Sequence, residues 1–264
     1  MVSVGIRAVV VSAPWGNYVR PEGSTPTVGT FTLRRRRGRA WRVLRTVRCY
    51  PRLGAWVNRI GLRNPGIGWL ESAVRSGRKD LGGSILSVHG FDEGEWAELV
   101  DRAGGLGAAA LELNISCPNV GEVSWPTWLF ERAVSTGTVV VVKLPPVNYV
   151  RLAEEALSAG VRWLHCCNTL PVRGGGMSGK PLQPLSLRCV EEARTIAGRL
   201  GVSASVIGGG GVTGPEDVRR YADAGADRVA LGTKLMHPRY LARGGRTRAD
   251  LGPIFDEAER CFGG

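Results

Sequence analysis

The residues able to do chemistry in this chain recur where short apolar stretches end. Asn114-Ile115-Ser116-Cys117-Pro118-Asn119 puts two side-chain amides and a thiol within six residues. A cysteine so placed serves as a base or nucleophile when its surroundings favour the thiolate. The flanking amides can hydrogen-bond a planar amide or carboxylate substrate without adding charge, and Pro118 restricts the loop that carries them. A free cysteine more often simply packs; the polar, proline-containing surroundings favour the chemical role here. The next apolar stretch ends at Lys143 in Val140-Val141-Val142-Lys143-Leu144-Pro145. A lysine closing a buried strand needs an anionic partner, because an unpaired buried charge is costly. That partner is either a bound ligand or an acid across the strand ends, such as Glu112.

A second kind of chemistry is written in Val206-Ile207-Gly208-Gly209-Gly210-Gly211, which leads to a helix starting near Thr213 or Pro215. Glycines let backbone N–H groups approach a phosphate closely, and a helix N-terminus favours negative charge. Gly232-Thr233 closes the following apolar stretch in the same manner. Gly209, Gly211 and Gly214 also match the dinucleotide spacing G-x-G-x-x-G, but no acidic residue ends a following strand to meet a ribose.

The elements that must position these groups alternate regularly. Strands are predicted at Ile6–Ser12, Pro26–Leu33, Ser84–Val88, Ala109–Ile115, Val139–Leu144, Trp163–Asn168, Ser205–Ile207 and Arg228–Leu231. Helices are predicted at Gly66–Ser76, Asp92–Ala103, Asn148–Ala159, Leu185–Leu200 and Pro215–Ala224, with a last one in Gly252–Gly264. Short apolar strands alternating with helices imply a parallel sheet buried on both faces. Eight strands in 264 residues favour an α/β fold closed as a single-domain (β/α)8 TIM barrel spanning 1–264. In such barrels ligands gather at the C-terminal strand ends, and the loops after strands seven and eight commonly hold phosphate. Ser12 and Ala13, which end the first strand, are expected beside that cofactor. A barrel with a terminal phosphate site points to FMN rather than to a dinucleotide.

Composition narrows the classes further. Hydrophobic residues make up 43% and charged residues 22%, values ordinary for a folded globular chain. No apolar run of transmembrane length and no signal-peptide pattern is present, so a cytoplasmic protein with no membrane partner is expected. The net charge is +12, and 31 of the 35 basic residues are arginine, crowded most densely from Arg34 to Arg52. That cluster is read first as a solvated connection and second as a docking or nucleic-acid surface. The six cysteines form no C-x-x-C pair, so neither a metal site nor an iron–sulfur site is expected. Adjacent Cys166 and Cys167 read as buried free thiols.

Glu112-Leu113-Asn114-Ile115-Ser116-Cys117-Pro118-Asn119 resembles the catalytic loop of the class 1 dihydroorotate dehydrogenases. The resemblance continues through Trp56-Val57-Asn58-Arg59-Ile60-Gly61-Leu62-Arg63-Asn64-Pro65-Gly66, Val142-Lys143-Leu144, Asn168-Thr169, Gly175–Pro184, Val206–Gly214 and Ala230–Thr233. It implies flavin-dependent oxidation of dihydroorotate to orotate in pyrimidine biosynthesis. Cys117 would take the C5 proton while hydride passes from C6 to N5 of FMN. It further implies that Asn58, Asn114, Asn119, Asn168, Thr169 and the N–H groups of Gly61 and Leu62 bind the substrate. Lys143 would contact the flavin ring, Ser178 and Gly179 would line it, and Gly210, Gly211, Gly232 and Thr233 would hold its phosphate. A homodimer, or an assembly with an iron–sulfur flavoprotein subunit, is the implied partner arrangement.

The chain departs from the family at Gly29, where a lysine is usual, and an arginine of Arg34–Arg37 is the candidate replacement. A related FMN barrel acting on another pyrimidine is the second reading. The third is a tRNA dihydrouridine synthase, to which Asn114, Cys117, Lys143 and His165 are also similar, with the basic charge then serving tRNA. Asn58–Leu62, Asn119, Asn168 and Gly176–Pro184 fit the first family better, so no nucleic-acid partner is expected. A non-catalytic scaffold descended from the barrel has only the missing lysine in its favour.

Overall fold

The computed structural model of the protein describes residues 5–115, 125–237, 240 and 250–263. Eight parallel strands close a barrel: β1 (Val9–Val11), β2 (Ser24–Phe31), β5 (Ile85–Val88), β6 (Ala110–Leu113), β7 (Val139–Leu144), β8 (Trp163–Cys166), β11 (Ser205–Gly209) and β12 (Arg228–Leu231). β1 pairs with both β2 and β12, so the sheet has no edge. Each predicted strand lies within a few residues of an observed one. Around them lie α2 (Ile67–Arg75), α3 (Glu93–Gly104), α5 (Val150–Ser158), α6 (Gln183–Arg199), α7 (Pro215–Asp223) and α8 (Gly252–Phe262). α3 starts where Asp92 accepts the Glu95 N–H at 2.8 Å, an N-cap that satisfies a donor the helix cannot.

Alternation along the strands sorts the barrel interior into layers. The floor is the apolar cluster of Ile6, Val10, Ile85, Ala110, Val141, Ile207 and Ala230. Two residues further along the neighbouring strands come Ser87, Glu112, Lys143 and His165, all buried. Beyond Glu112, Asn114 continues the same inward row to the mouth. The opposite set, including Val9, Val11, Leu86, Leu111, Val142 and Leu164, packs against the helices in the main core. The side chains of Cys166, Cys167 and Cys189 are buried free thiols.

Four further strands form an antiparallel sheet over the mouth, in the order β3 (Arg48–Tyr50), β4 (Ala55–Asn58), β10 (Gly175–Gly179) and β9 (Leu170–Val172). This sheet was not anticipated, nor were α1 (Arg39–Thr46) and α4 (Leu129–Ser135). β10 reads Gly-Gly-Met-Ser-Gly and has no local strand signature; its pairing with β4 joins segments more than 100 residues apart.

Candidate active site

A cavity of about 350 Å³ opens at the C-terminal ends of the barrel strands. Its lining includes Ser12, Ala13, Asn58, Gly61, Leu62, Asn114, Lys143, Asn168, Thr169, Ser178, Gly210, Gly211, Gly232 and Thr233. These residues come from segments spread along the whole chain, and the strand ends bring them together. Cys117 and Asn119 lie outside the described residues. Gly179 was expected on the cofactor but does not line the cavity. Its backbone is packed on β4, where an added Cβ would overlap the Gly54 carbonyl oxygen.

The amides of the site are set by a hydrogen-bond chain across the mouth. Asn168 Nδ2 donates to Asn114 Oδ1 at 2.8 Å, and Asn114 Nδ2 donates to Thr30 Oγ1 at 2.8 Å. The Thr30 and Ser87 hydroxyls are 2.9 Å apart and share the next bond. The chain of bonds fixes which edge each asparagine presents. Gly61 (φ 71°) and Leu62 (φ 52°) are successive left-handed residues; for leucine that conformation costs about 1–2 kcal/mol. Asn64 holds it in place: its Nδ2 donates to Leu62 O at 2.7 Å, while its Oδ1 accepts the Gly66 N–H at 2.8 Å and the Thr32 N–H at 3.2 Å. Asn64 therefore ties the Asn58–Leu62 loop to the end of β2. The sequence places Asn64 in the stretch that resembles the substrate loop but gives it no role, because that role depends on Thr32, 32 residues away.

Beneath the amides lies a buried ionic layer. Burial alone would raise the Glu112 carboxyl, but the Lys143 charge and a hydrogen bond from His165 hold it down at about 2. Burial and the Lys143 charge push the His165 pKa below its ordinary value, so neutral His165 donates from Nδ1 to Glu112 Oε2 at 2.7 Å. Lys143 Nζ stands 4.0 Å from Glu112 Oε1. Lys143 thus has both partners weighed from the sequence, an acid below and the cavity above. His165 is 1% exposed and is absent from the cavity lining. The Cys167 thiol lines the cavity, yet burial pushes it up to about 12 and leaves it protonated at neutral pH.

The phosphate end differs in part from expectation. Gly208 and Gly209 belong to β11 and are glycine for packing: a Cβ would overlap the Tyr221 ring at the first and crowd Ala230 Cβ at the second. The N-terminus of α7 is already capped by the Asp217 carboxylate. That group accepts from the Thr213 N–H at 2.8 Å and the Gly214 N–H at 3.2 Å, and is paired with Lys180. The helix end is thus closed to a further anion. Gly210, Gly211, Gly232 and Thr233 remain, and among the described residues no acceptor takes their N–H groups. Gly211 (φ 72°) is held to glycine by packing as well, since its Cβ would sit 3.0 Å from Lys180 Cα. Four backbone amides on one cavity, with no protein acceptor of their own among the described residues, fit a phosphate, and with it FMN.

Gly29 lines the cavity, and its conformation explains the missing lysine. At φ 123° an added Cβ would overlap the Ser87 carbonyl oxygen, while Asn17 Nδ2 donates to Gly29 O at 2.7 Å. No residue of Arg34–Arg37 lines the cavity in its place; Arg39, Arg63 and Lys79 do. Gly29→Ala is expected to cost about 1–3 kcal/mol from overpacking, read as a fall of several degrees in thermal midpoint. An unchanged midpoint would show that β2 can shift to admit a side chain.

Comparison with known proteins agrees with this geometry. The family model described as "Dihydroorotate dehydrogenase" matches residues 18–242. The chain is 32% identical over 237 residues to "Dihydroorotate dehydrogenase A (fumarate)" of Limosilactobacillus reuteri, covering 74% of this chain and 75% of that protein. It is 34% identical over 210 residues to "Dihydroorotate dehydrogenase B (NAD(+)), catalytic subunit" of Oceanobacillus iheyensis, covering 67% and 66% respectively. The solved structure of DHODH from Eimeria tenella in complex with ferulenol superposes with a TM-score of 0.74 at 19% identity, covering 97% of this chain and 83% of that one. That likeness speaks for the fold.

Proposed function

Because the chain belongs to the dihydroorotate dehydrogenase family, we propose that it oxidises dihydroorotate to orotate in pyrimidine biosynthesis, as a cysteine-base enzyme of the class 1 kind. The observation that carries this reading is the one cavity that the hydrogen-bonded amides, Lys143, Gly210, Gly211, Gly232 and Thr233 all line. Gly210, Gly211, Gly232 and Thr233 would hold the phosphate of FMN, with Ser12, Ala13, Ser178 and Lys143 along the rest of it. When bound, FMN supplies the acceptor for the hydride that leaves C6.

The chain's own residues do the remaining work. Asn58, Asn114, Asn168 and Thr169, with Asn119, bind the planar ring through its amide edges. The left-handed N–H pair at Gly61 and Leu62 receives the carboxylate. Cys117 removes the C5 proton. The Thr30–Ser87 hydroxyls act one step back, by holding Asn114 in one orientation.

The protein works as one barrel domain in the cytoplasm. Two partner arrangements fit: a homodimer, or a catalytic subunit joined to an iron–sulfur flavoprotein. The reaction is tested by colour. The purified protein is expected to be yellow, and anaerobic dihydroorotate is expected to bleach it. A yellow protein that dihydroorotate leaves unbleached overturns the substrate, and a colourless one that takes up no FMN overturns the cofactor.

A further inference from the structure

The charge of this protein is concentrated in one segment of the chain. Between Gly23 and Leu70 the chain carries eleven arginines and no acidic residue, while the remaining 216 residues carry 24 basic and 23 acidic groups. Nearly all of the net charge of +12 therefore comes from this segment. A general preference for arginine over lysine does not explain it, because such a preference would leave the acids in place.

α1 lies in the middle of the segment and has no buried residue. Trp41 is 61% exposed and Leu44, on the same side of the helix three residues on, is 76% exposed. Tyr50 of β3 and Leu53 beside it are 46% and 60% exposed. The Arg45 guanidinium sits 5.0 Å from the Trp41 ring centroid, and Arg39 sits 5.2 Å from that of Tyr18. Large apolar side chains and guanidinium groups are thus interleaved on one face.

The occupant must satisfy both. A second copy of the chain would set one cationic patch against another. A nucleic acid would take up the arginines and leave Leu44 and Leu53 in water. An anionic lipid surface meets both demands, with phosphates for the guanidinium groups and the headgroup–acyl boundary for tryptophan and leucine. We propose that the α1–β3 face is a peripheral docking surface for an anionic bilayer, entered by Trp41 and Leu44 and held by the surrounding arginines. No described helix is long and apolar enough to cross a membrane, and surface docking needs none. Arg39 belongs to α1 and also lines the cavity, so docking brings the cavity mouth beside the lipid.

The test is flotation of the full FMN-loaded chain with vesicles of phosphatidylcholine alone or with 30% phosphatidylglycerol. The wild type is expected to float only with the anionic vesicles, and less at high salt. Trp41→Ser/Leu44→Ser and, separately, Arg42→Glu/Arg45→Glu are each expected to cut the bound fraction about tenfold or more, with bleaching by dihydroorotate unchanged. None of these four residues lines the cavity. A wild type that stays down with anionic vesicles overturns the proposal. So does loss of flotation in the charge-reversed variant with none in the serine variant, which would mark a purely electrostatic surface for an acidic protein or nucleic acid.

Discussion

Cys117→Ala is expected to slow anaerobic bleaching of the bound flavin by dihydroorotate about 10²–10⁴-fold near neutral pH, the usual contribution of a positioned base, while the yellow colour is retained. The size of the effect rests on the lack of a substitute among the described residues. Among the described residues Cys167 is the one cysteine that lines the cavity, and burial pushes its thiol up to about 12. His165 is buried and spends its Nδ1–H on Glu112. Lys143 Nζ stands 4.0 Å from the Glu112 carboxylate. Raising the pH is therefore expected to restore little of the rate in the alanine variant. Stopped-flow reduction decides the matter: fast bleaching by the variant at neutral pH would remove Cys117 from the role of base.

Glu112→Gln is expected to cost about 3–5 kcal/mol, because it breaks a buried pair and leaves the Lys143 charge without its counterion. At about 2–4 °C per kcal/mol for a chain of this size, the thermal midpoint falls by roughly 10 °C. The double variant Glu112→Gln/Lys143→Met should recover part of the loss, since removing both charges is far less costly than removing one. The pH dependence has a definite sign. The folded carboxyl titrates at about 2, below its ordinary value of 4.5, so its contribution is complete above 4.5 and is lost as the pH falls toward 2. The His165 pKa is also lowered, so the fold favours the neutral ring. That contribution is complete above the ordinary value of 6.5 and is lost on acidification below it. The wild-type midpoint should decline in both windows, and Glu112→Gln should lack the lower one. A variant as stable as the wild type would mean that water reaches this layer and screens it.

Much of the barrel was determined by the sequence alone, for a local reason. Val139–Leu144 and Arg228–Leu231 are strands at the predicted bounds, because runs of apolar residues bounded by turns carry their own signature. The end of each run is also local, so Asn114, Lys143, Asn168, Gly210 and Thr233 were visible as a set before the chain was closed into a ring. Only the tertiary structure decided what faces those ends. The antiparallel sheet over the mouth depends on the pairing of β4 with β10, which no local pattern encodes. Asp217 occupies the helix end that the sequence offered to a phosphate, because Lys180 and Gln183 reach it from another element. Of the four glycines before that helix, two serve packing against Tyr221 and Ala230. Gly29 excludes a side chain because of a carbonyl on the neighbouring strand. The arginine-rich connection contains a helix with no buried residue, which leaves Trp41 and Leu44 exposed. In each of these cases the deciding atom comes from a distant part of the chain, and the fold alone brings it within reach.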